Sequence, residues 1–553
     1  MPPTHTHQHK LPEIKNKWAT IALETFCILM VAFVYLSHLG YLPLDIESDE
    51  ARRALVTSEM MLSGNYVTPT INGEVYLNKP PLYNYIIAGY FKLFGNYSMF
   101  AFRLQCIVAV LLTGLLIYHF TKRYTNHTIA FFTSLAFMTN GRLLLYESLY
   151  GMIDTTFSLV VYANFLLIFY FGEQQKNKSL FIFSYITCAL AFLLKGLPAI
   201  VFQGVSLLTW FGLKRNFKAL FSKAHLYGIF SFLLVLTPYY WLFFTQIKVP
   251  VATVLSTLFS ESEKRTFFEY NTLTFLKHVI SFPADILYHF LPWTIFLIAL
   301  LRKDVIKIIK QNAFIQYITV LFLANIIVYW VSPDVYPKYL FMFVPLLYTV
   351  AFYFYQHLDQ NAWQKKVINF LLIIAGVIMF LSSIGLPFTS LMQVTELPYL
   401  KAGFLIASLG ICAYMIIRKK NNYRFYFFLV ALLICRAGFN WFVVEQRGER
   451  FFEARAKAED IANKTKDKPL AILANANTGN FDGMSFHIST LRNEVLKIST
   501  QIAPGAYYIA DSTGLQQHDL ITDMAFENLP FHNKLFLAHA AYEEPGTDSA
   551  KAQ

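Results

Sequence analysis

The sequence is poor in charge and in cysteine, and it lacks repeats and low-complexity linkers. Only 14% of its 553 residues are Asp, Glu, Lys or Arg, whereas 56% are hydrophobic and 17% aromatic. A soluble chain of this length cannot hide so much apolar surface, so the composition places it in a bilayer. The five cysteines, Cys27, Cys106, Cys188, Cys412 and Cys435, all fall inside apolar runs without CxxC spacing. That pattern supports neither a disulfide framework nor a structural zinc; they read as small core residues. No small-residue cleavage site follows the first apolar run, 18–39, which reads as a retained span rather than a removed signal peptide. The formal charge is +12. Its lysines and arginines come in short clusters between apolar runs, which argues against nucleic acid as a partner and for membrane topology.

With a cytoplasmic N-terminus, the positive-inside rule predicts that every second connection is basic. The clusters Lys122/Arg123, Lys176/Lys178, Lys214/Arg215/Lys218, Arg302/Lys303/Lys307/Lys310, Lys365/Lys366 and Arg418/Lys419/Lys420/Arg424 follow that rule. The alternate connections, 45–79, 147–154, 246–283, 332–338 and 386–401, are long or acidic. The pattern predicts about thirteen transmembrane helices, the last over 425–444 and leaving the chain on the outer side. The tail beyond it carries 11 Lys/Arg and 15 Asp/Glu, a net of −4 against +16 for the part before it. We therefore divide the chain into a transmembrane domain, 1–444, with outer-face loop helices in 45–95, and a soluble extracytoplasmic α/β domain, 445–553. In the tail, ERFFEARAKAEDIANKTK reads as a helix, and PLAILA, EVLKIS, AYYIAD and KLFLAHA read as strands. His5, His7 and His9 read as part of a disordered polar leader, metal binding being the alternative.

The segment DIESDEARRALVTSEMMLSGNYVTPTINGEVYLNKPPLY, 45–83, is rich in charge and turn residues yet lies between two very apolar runs. A helix from Ser48 as N-cap to a stop at Gly64 puts Asp49 and Glu50 in its first turn, where the macrodipole favours acids. Its length and its apolar Leu55, Met61 and Leu62 suit a helix at the interface, and a solvated connector is the plainer reading. On such a helix Asp49 and Glu50 point about 100° apart, so both are poorly placed to face one reacting atom. Lys79 precedes Pro80 and Pro81, which hold it extended and start a helix running to Phe94. It reads either as a snorkelling anchor or as a point charge for a phosphate.

The order Asp49-Glu50-Ala51-Arg52, then SGNYVTPTINGEVYLNKPPLYNY, then LFGNYSMFAFRL ending at Arg103 and Leu104, resembles the GT-C superfamily of membrane glycosyltransferases. More narrowly, it resembles the family that includes protein O-mannosyltransferases and lipid A aminoarabinose transferases. LLKGLPA (193–199) and PKYLFMFVPLL after Ser332 are similar too. The resemblance implies an all-α polytopic, GT-C-like fold in a bacterial inner membrane, with the small α/β tail on the outer side. It implies a polyprenyl-phosphate-sugar donor and single-displacement, inverting transfer to an acceptor at the outer face, which is a lipid A, a glycan or a protein.

Such a transfer needs an acceptor for the proton of the attacking hydroxyl and cations for the phosphate leaving group. By resemblance, Asp49 takes the first role and Asp154, in YGMIDTTF, shapes the site and orients Lys79 by pairing with it. Stabilisation by the helix dipole is the alternative reading of Asp154. Lys79, Arg52, Lys195 and Lys338 are the candidates for the donor phosphate, with membrane anchoring the alternative for the lysines. Glu50, Glu261, Arg265 and His289 form a second tier. Glu261 and Arg265 are four apart in SESEKRTFFEY and would pair on a helix. His278 or His289 with a carboxylate could hold a divalent cation, but the spacing is weak, and Asn78 stands where relatives often have Glu before the KPP lysine. No obligatory metal or other cofactor is expected, and a divalent cation is possible. A transporter or flippase for a lipid-linked sugar is the competing class, against which stand the lack of repeats and the charge gathered at the outer span ends. An assembly subunit would leave Asp49 and Lys79 without a purpose.

Overall fold

The protein is described from a computed structural model, which covers residues 17–44, 49–247, 249–263, 271–393, 395–419, 422–528 and 533–540. Ser48, Arg265 and the N-terminal histidines lie outside the described residues. In chain order the helices begin with α1 (Lys17–Leu36) and α2 (Asp49–Ser63). A hairpin of β1 (Thr70–Ile71) and β2 (Glu74–Val75) precedes α3 (Leu82–Phe94), α4 (Met99–Tyr124), α5 (His127–Met138) and α6 (Gly141–Leu145). Then come α7 (Ile153–Glu173), α8 (Asn177–Lys195), α9 (Pro198–Leu213), α10 (Lys223–Gln246), α11 (Val251–Glu263) and α12 (Thr272–His289). The series continues with α13 (Val305–Lys310), α14 (Ala313–Trp330), α15 (Val344–Gln356), α16 (Trp363–Gly385), α17 (Pro398–Arg418) and α18 (Asn422–Gly438).

Among the described residues, nine helices are long and apolar enough to cross a membrane, or eleven if each of two sharply bent pairs is one span. The protein is thus a multi-span membrane protein. The expected number was about thirteen. α9 shows where such a count grows: it is apolar and starts on a proline, but it has 16 residues. The bent pairs are His127–Met138 with Gly141–Leu149, and Thr272–His289 with Trp293–Leu300, bent by 41° and 119°.

The chain forms two compact units. One comprises Met1–Leu39, Leu104–Tyr240 and Val251–Gln446; the other comprises Gly40–Arg103, Trp241–Pro250 and Arg447–Gln553. The first is the helical bundle, packed largely through aromatic side chains. Phe169, for example, meets Trp210, Phe314 and Tyr317 at ring separations of 5.2 to 5.8 Å.

After α19 (Glu445–Arg447), the second unit holds α20 (Glu449–Lys464), β3 (Leu470–Leu473), α21 (Asp482–Arg492), β4 (Lys497–Ser499), β5 (Tyr507–Ala510), α22 (Ser512–Gln517), β6 (Ile521–Asn528) and β7 (Asn533–His539). The strand order is β4-β3-β5-β7-β6. β3 is parallel to both β4 and β5, and β7 is antiparallel to β5 and β6. Ala458 and Ile461 of α20, with Met484 and Ile488 of α21, bury one sheet face at Leu470, Ile472, Ile509, Leu535 and Leu537. The four expected strands and the opening helix are present; α21, α22 and β6 are additional. α2 and α3 also match the expected helices, and Gly95, in the left-handed region at φ 66°, closes α3 with its N–H on the carbonyls of Lys92 and Phe91.

Candidate active site

In the second unit the first turn of α2 separates its two acids. Asp49 is 54% exposed at its side chain, whereas Glu50 is fully buried. Arg103 grips Glu50 with two bonds, Nε to Oε1 at 2.7 Å and Nη2 to Oε2 at 3.0 Å, and donates to the carbonyls of Leu42 and Pro43 at 2.7 and 2.9 Å. Every face of that guanidinium is therefore used, which is what allows a charge pair to be buried. Glu50 is thus committed to a structural pair and Asp49 is the acid that solvent can reach.

Arg52 lies one turn along from Asp49, with Nη1 3.6 Å from Asp49 Oδ1, and its Nε donates to Asp482 Oδ2 at 3.0 Å. Burial works against the charge of Arg52, but Asp482, Tyr76 and Asp49 outweigh it and lift the guanidinium pKa further, so Arg52 stays charged. Its charge is shared between two carboxylates.

Glu59, also on α2, ties down the hairpin. Its carboxylate accepts from Thr70 Oγ1 at 2.6 Å, from the Asn72 N–H at 2.6 Å and from the Gly73 N–H at 3.2 Å. Asn72 and Gly73 have φ of 51° and 80°, the left-handed pair that a two-residue turn requires. Burial raises the Glu59 pKa despite these three donors. Lys79 is half-buried between this hairpin and α3, immediately before the two prolines.

The first unit contains a second constellation. Asp154 lies in the first turn of α7 and Lys195 is the last residue of α8, where Gly196 at φ 82° turns the chain. Lys195 Nζ donates to Asp154 Oδ1, and Lys338 Nζ stands 4.0 Å from Asp154 Oδ2. The Asp154, Lys195 and Lys338 side chains are 5%, 10% and 16% exposed. Lys195 also sits over the rings of Tyr339 and Phe157, at 3.9 and 5.3 Å from their centroids. Beside this group Arg142 and Glu147 pair at 2.6 Å. Two ammonium groups thus meet at the Asp154 carboxylate in a largely dehydrated place, where charge–charge interactions are strong.

Sequence reasoning named Asp154, Lys195 and Lys338 but joined Asp154 to Lys79; the recorded partners of Asp154 include Lys195 and Lys338. It passed over Asp482 and Glu59, whose partners lie far along the chain or in the hairpin, and Arg142 and Glu147, which pair five residues apart. His289 ends α12, and Glu261 lies in α11 with its expected partner, Arg265, outside the described residues. Among the described residues no group of three or more His, Cys, Asp or Glu could hold a metal ion.

A family model described as dolichyl-phosphate-mannose-protein mannosyltransferase matches residues 78–241, a span that contains Lys79, Asp154 and Lys195. The crystal structure of ArnT from Cupriavidus metallidurans bound to undecaprenyl phosphate superposes with a TM-score of 0.67 at 16% identity, over 96% of this chain and 100% of that one. The fold is therefore shared along nearly the whole length. In sequence, the chain is 29% identical to undecaprenyl phosphate-alpha-4-amino-4-deoxy-L-arabinose arabinosyl transferase 2 of Proteus mirabilis, over 39% of this chain and 38% of that protein. It is 27% identical to the similarly named transferase 2 of Pseudomonas fluorescens, over 51% of this chain and 44% of that protein. The alignments thus cover less than half of those relatives.

Proposed function

We propose that the protein is an inverting glycosyltransferase that moves a sugar from a polyprenyl-phosphate-linked donor to an acceptor at the outer face of a bacterial cytoplasmic membrane. The observation that supports this reading is the meeting of Lys195 and Lys338 at the buried carboxylate of Asp154. An anionic leaving group suits such a place, and the transferases to which the chain is similar suggest the donor class: an amino sugar on undecaprenyl phosphate.

In the reaction the acceptor hydroxyl oxygen attacks the anomeric carbon from the side opposite the phosphate. The new C–O bond forms as the sugar–phosphate C–O bond breaks, and polyprenyl phosphate departs with the electron pair. Asp49, the exposed acid of α2, takes the hydroxyl proton. Lys79, Lys195 and Lys338 offset the charge that grows on the phosphate. Arg52, paired with Asp482 and Asp49 and still 36% exposed, joins them at the phosphate. The reading places the N-terminus in the cytoplasm and takes 1–444 as the transmembrane domain and 445–553 as the extracytoplasmic one. The acceptor is a lipid A, a glycan or a protein; no metal is obligatory, and a divalent cation is compatible with the reading.

The test is sugar transfer in membranes carrying wild type or Asp49→Asn, supplied with radiolabelled undecaprenyl phosphate-4-amino-4-deoxy-arabinose and, separately, a mixed pool of polyprenyl-phosphate sugars. Label that moves with the wild type and stops with the variant, at equal folded protein, supports the reading, and the labelled fraction identifies the acceptor class. Donor that crosses the bilayer with both proteins, without transfer, replaces it with a flippase.

A further inference from the structure

This inference rests on the proposed transfer reaction and concerns two neighbouring arginines of α2. Arg52 is 36% exposed at its side chain and meets two carboxylates, Asp482 and Asp49. Arg53 is 3% exposed and meets no carboxylate among the described residues. Electrostatics favours the reverse arrangement, because water serves an exposed charge and only a counter-ion serves a buried one.

The surroundings of Arg53 supply one polar partner. Its Nη2 donates to the Tyr76 hydroxyl at 2.7 Å, and its guanidinium carbon lies 5.3 Å from the centre of the same ring. That ring belongs to a buried apolar cluster with Val56 and Met60. Nε is enclosed and has no acceptor. The buried acids of α2 are engaged elsewhere, Glu50 with Arg103, and Glu59 with Thr70, Asn72 and Gly73. A guanidinium cannot shed its charge as a lysine can, so Arg53 remains a buried cation with most of its fork unanswered.

Its place in the chain says what answers it. Arg53 lies one helical turn beyond Asp49 on the same side of α2, and Tyr76 stands shortly before Lys79 in the sequence. We propose that Arg53 is a phosphate ligand: its unmet N–H groups take the oxygens of a phosphoryl group, while the Tyr76 hydroxyl fixes the plane of the fork. A planar fork matches two phosphate oxygens at once, which an ammonium group does not. Both the polyprenyl donor and a lipid A acceptor carry that chemistry, and the experiment separates them.

The fold of this region has other ties. The Ile498 N–H donates to the Asn72 carbonyl at 3.1 Å, and the rings of Phe91 and Phe486 stack at 6.5 Å. Substitution of Arg53 leaves both in place.

The experiment uses the full chain in detergent micelles, as wild type, Arg53→Gln and Arg53→Lys. Binding of undecaprenyl phosphate, undecaprenol, lipid A and inorganic phosphate is measured by native mass spectrometry, and thermal unfolding is followed without ligand. Arg53→Gln removes an unbalanced buried charge, so the ligand-free variant should unfold at the wild-type temperature or above it. Its affinity for undecaprenyl phosphate should fall about ten- to hundredfold, with Arg53→Lys recovering part of the loss and undecaprenol binding alike in all three. A fall for lipid A in place of undecaprenyl phosphate supports the site and assigns it to the acceptor. Unchanged affinity for both lipids overturns the proposal, as does a fall confined to inorganic phosphate. A lower unfolding temperature for Arg53→Gln with lipid affinity intact also overturns it and marks a structural clamp on Tyr76. A wild type that binds neither lipid overturns it as well. A wild type that binds undecaprenyl phosphate through Arg53 yet transfers no sugar keeps the phosphate site and removes the glycosyltransferase reading.

Discussion

Asp49 and Glu50 are adjacent, identical in charge and opposite in fate. The helical rotation between them sends one to solvent and the other into a fully buried pair with Arg103. Their substitutions should separate accordingly. Glu50→Gln leaves the Arg103 charge buried without its counter-ion, and breaking a buried pair in this way costs about 3–5 kcal/mol. Thermal unfolding in detergent should show that loss for Glu50→Gln and no comparable loss for Asp49→Asn, whose defect should appear in transfer alone. The divergence of the two acids was legible in the sequence, because it follows from helix geometry. The identity of the partner was not: Arg103 lies 53 residues on, and no local period connects it to Glu50. The same holds for Asp154, whose sequence motif marked it as chemically important but could not select Lys195 and Lys338 from the cations available.

At the level of elements, the hydrophobic runs named the strands that are buried. β3, β5 and β7 supply the core positions Ile472, Ile509 and Leu537, and each reads as an apolar segment. Edge position alone does not hide a strand: β4 is an exposed edge strand too, legible through the buried Leu496 just before it, whereas β6 opens on three exposed residues and carries little of the apolar signal on which strand assignment depends. α21 escaped for a related reason: its serines and glycine weaken helix propensity, and packing against α20 and the sheet overrides it. α21 also carries a pH-sensitive group. Burial, reinforced by the Arg455 charge, pushes the His487 pKa from its ordinary 6.5 down to about 3. The folded state thus resists a proton that the unfolded state accepts. Stability from this residue is fully present above pH 6.5 and is lost as the pH falls from there toward 3. Unfolding of the α/β region, followed by exchange of its core amides, should therefore become easier between pH 6.5 and 4 in the wild type. His487→Gln should flatten that slope; an equal slope in both proteins would assign the effect to other groups.

For the whole molecule, the drop in net charge at 444/445 marks where the chain's composition changes, but a compact unit is defined by contacts. One unit gathers Gly40–Arg103, Trp241–Pro250 and Arg447–Gln553. The segment after the first helix thus folds with the tail, although some 350 residues of chain intervene, as the contact of Arg52 with Asp482 and that of Asn72 with Ile498 show. Sequence periodicity reports only local geometry, which is why the bundle and the tail were both legible while this partnership was not. The consequence is a strong prediction for a chain ended after Gln446. α2 would lose Asp482, the hairpin would lose the Ile498 N–H, and Phe91 would lose the ring of Phe486, so 49–94 would have exposed apolar surface and unmet polar groups. Limited proteolysis should then cut within 49–94 at least about tenfold faster than in the full chain, because cleavage follows the population of open forms. Sugar transfer should be lost with it, even though the spanning helices of the first unit retain their own packing. A truncated protein that kept both protection over 49–94 and transfer would show instead that this segment carries its own stability, and that the tail serves only the acceptor.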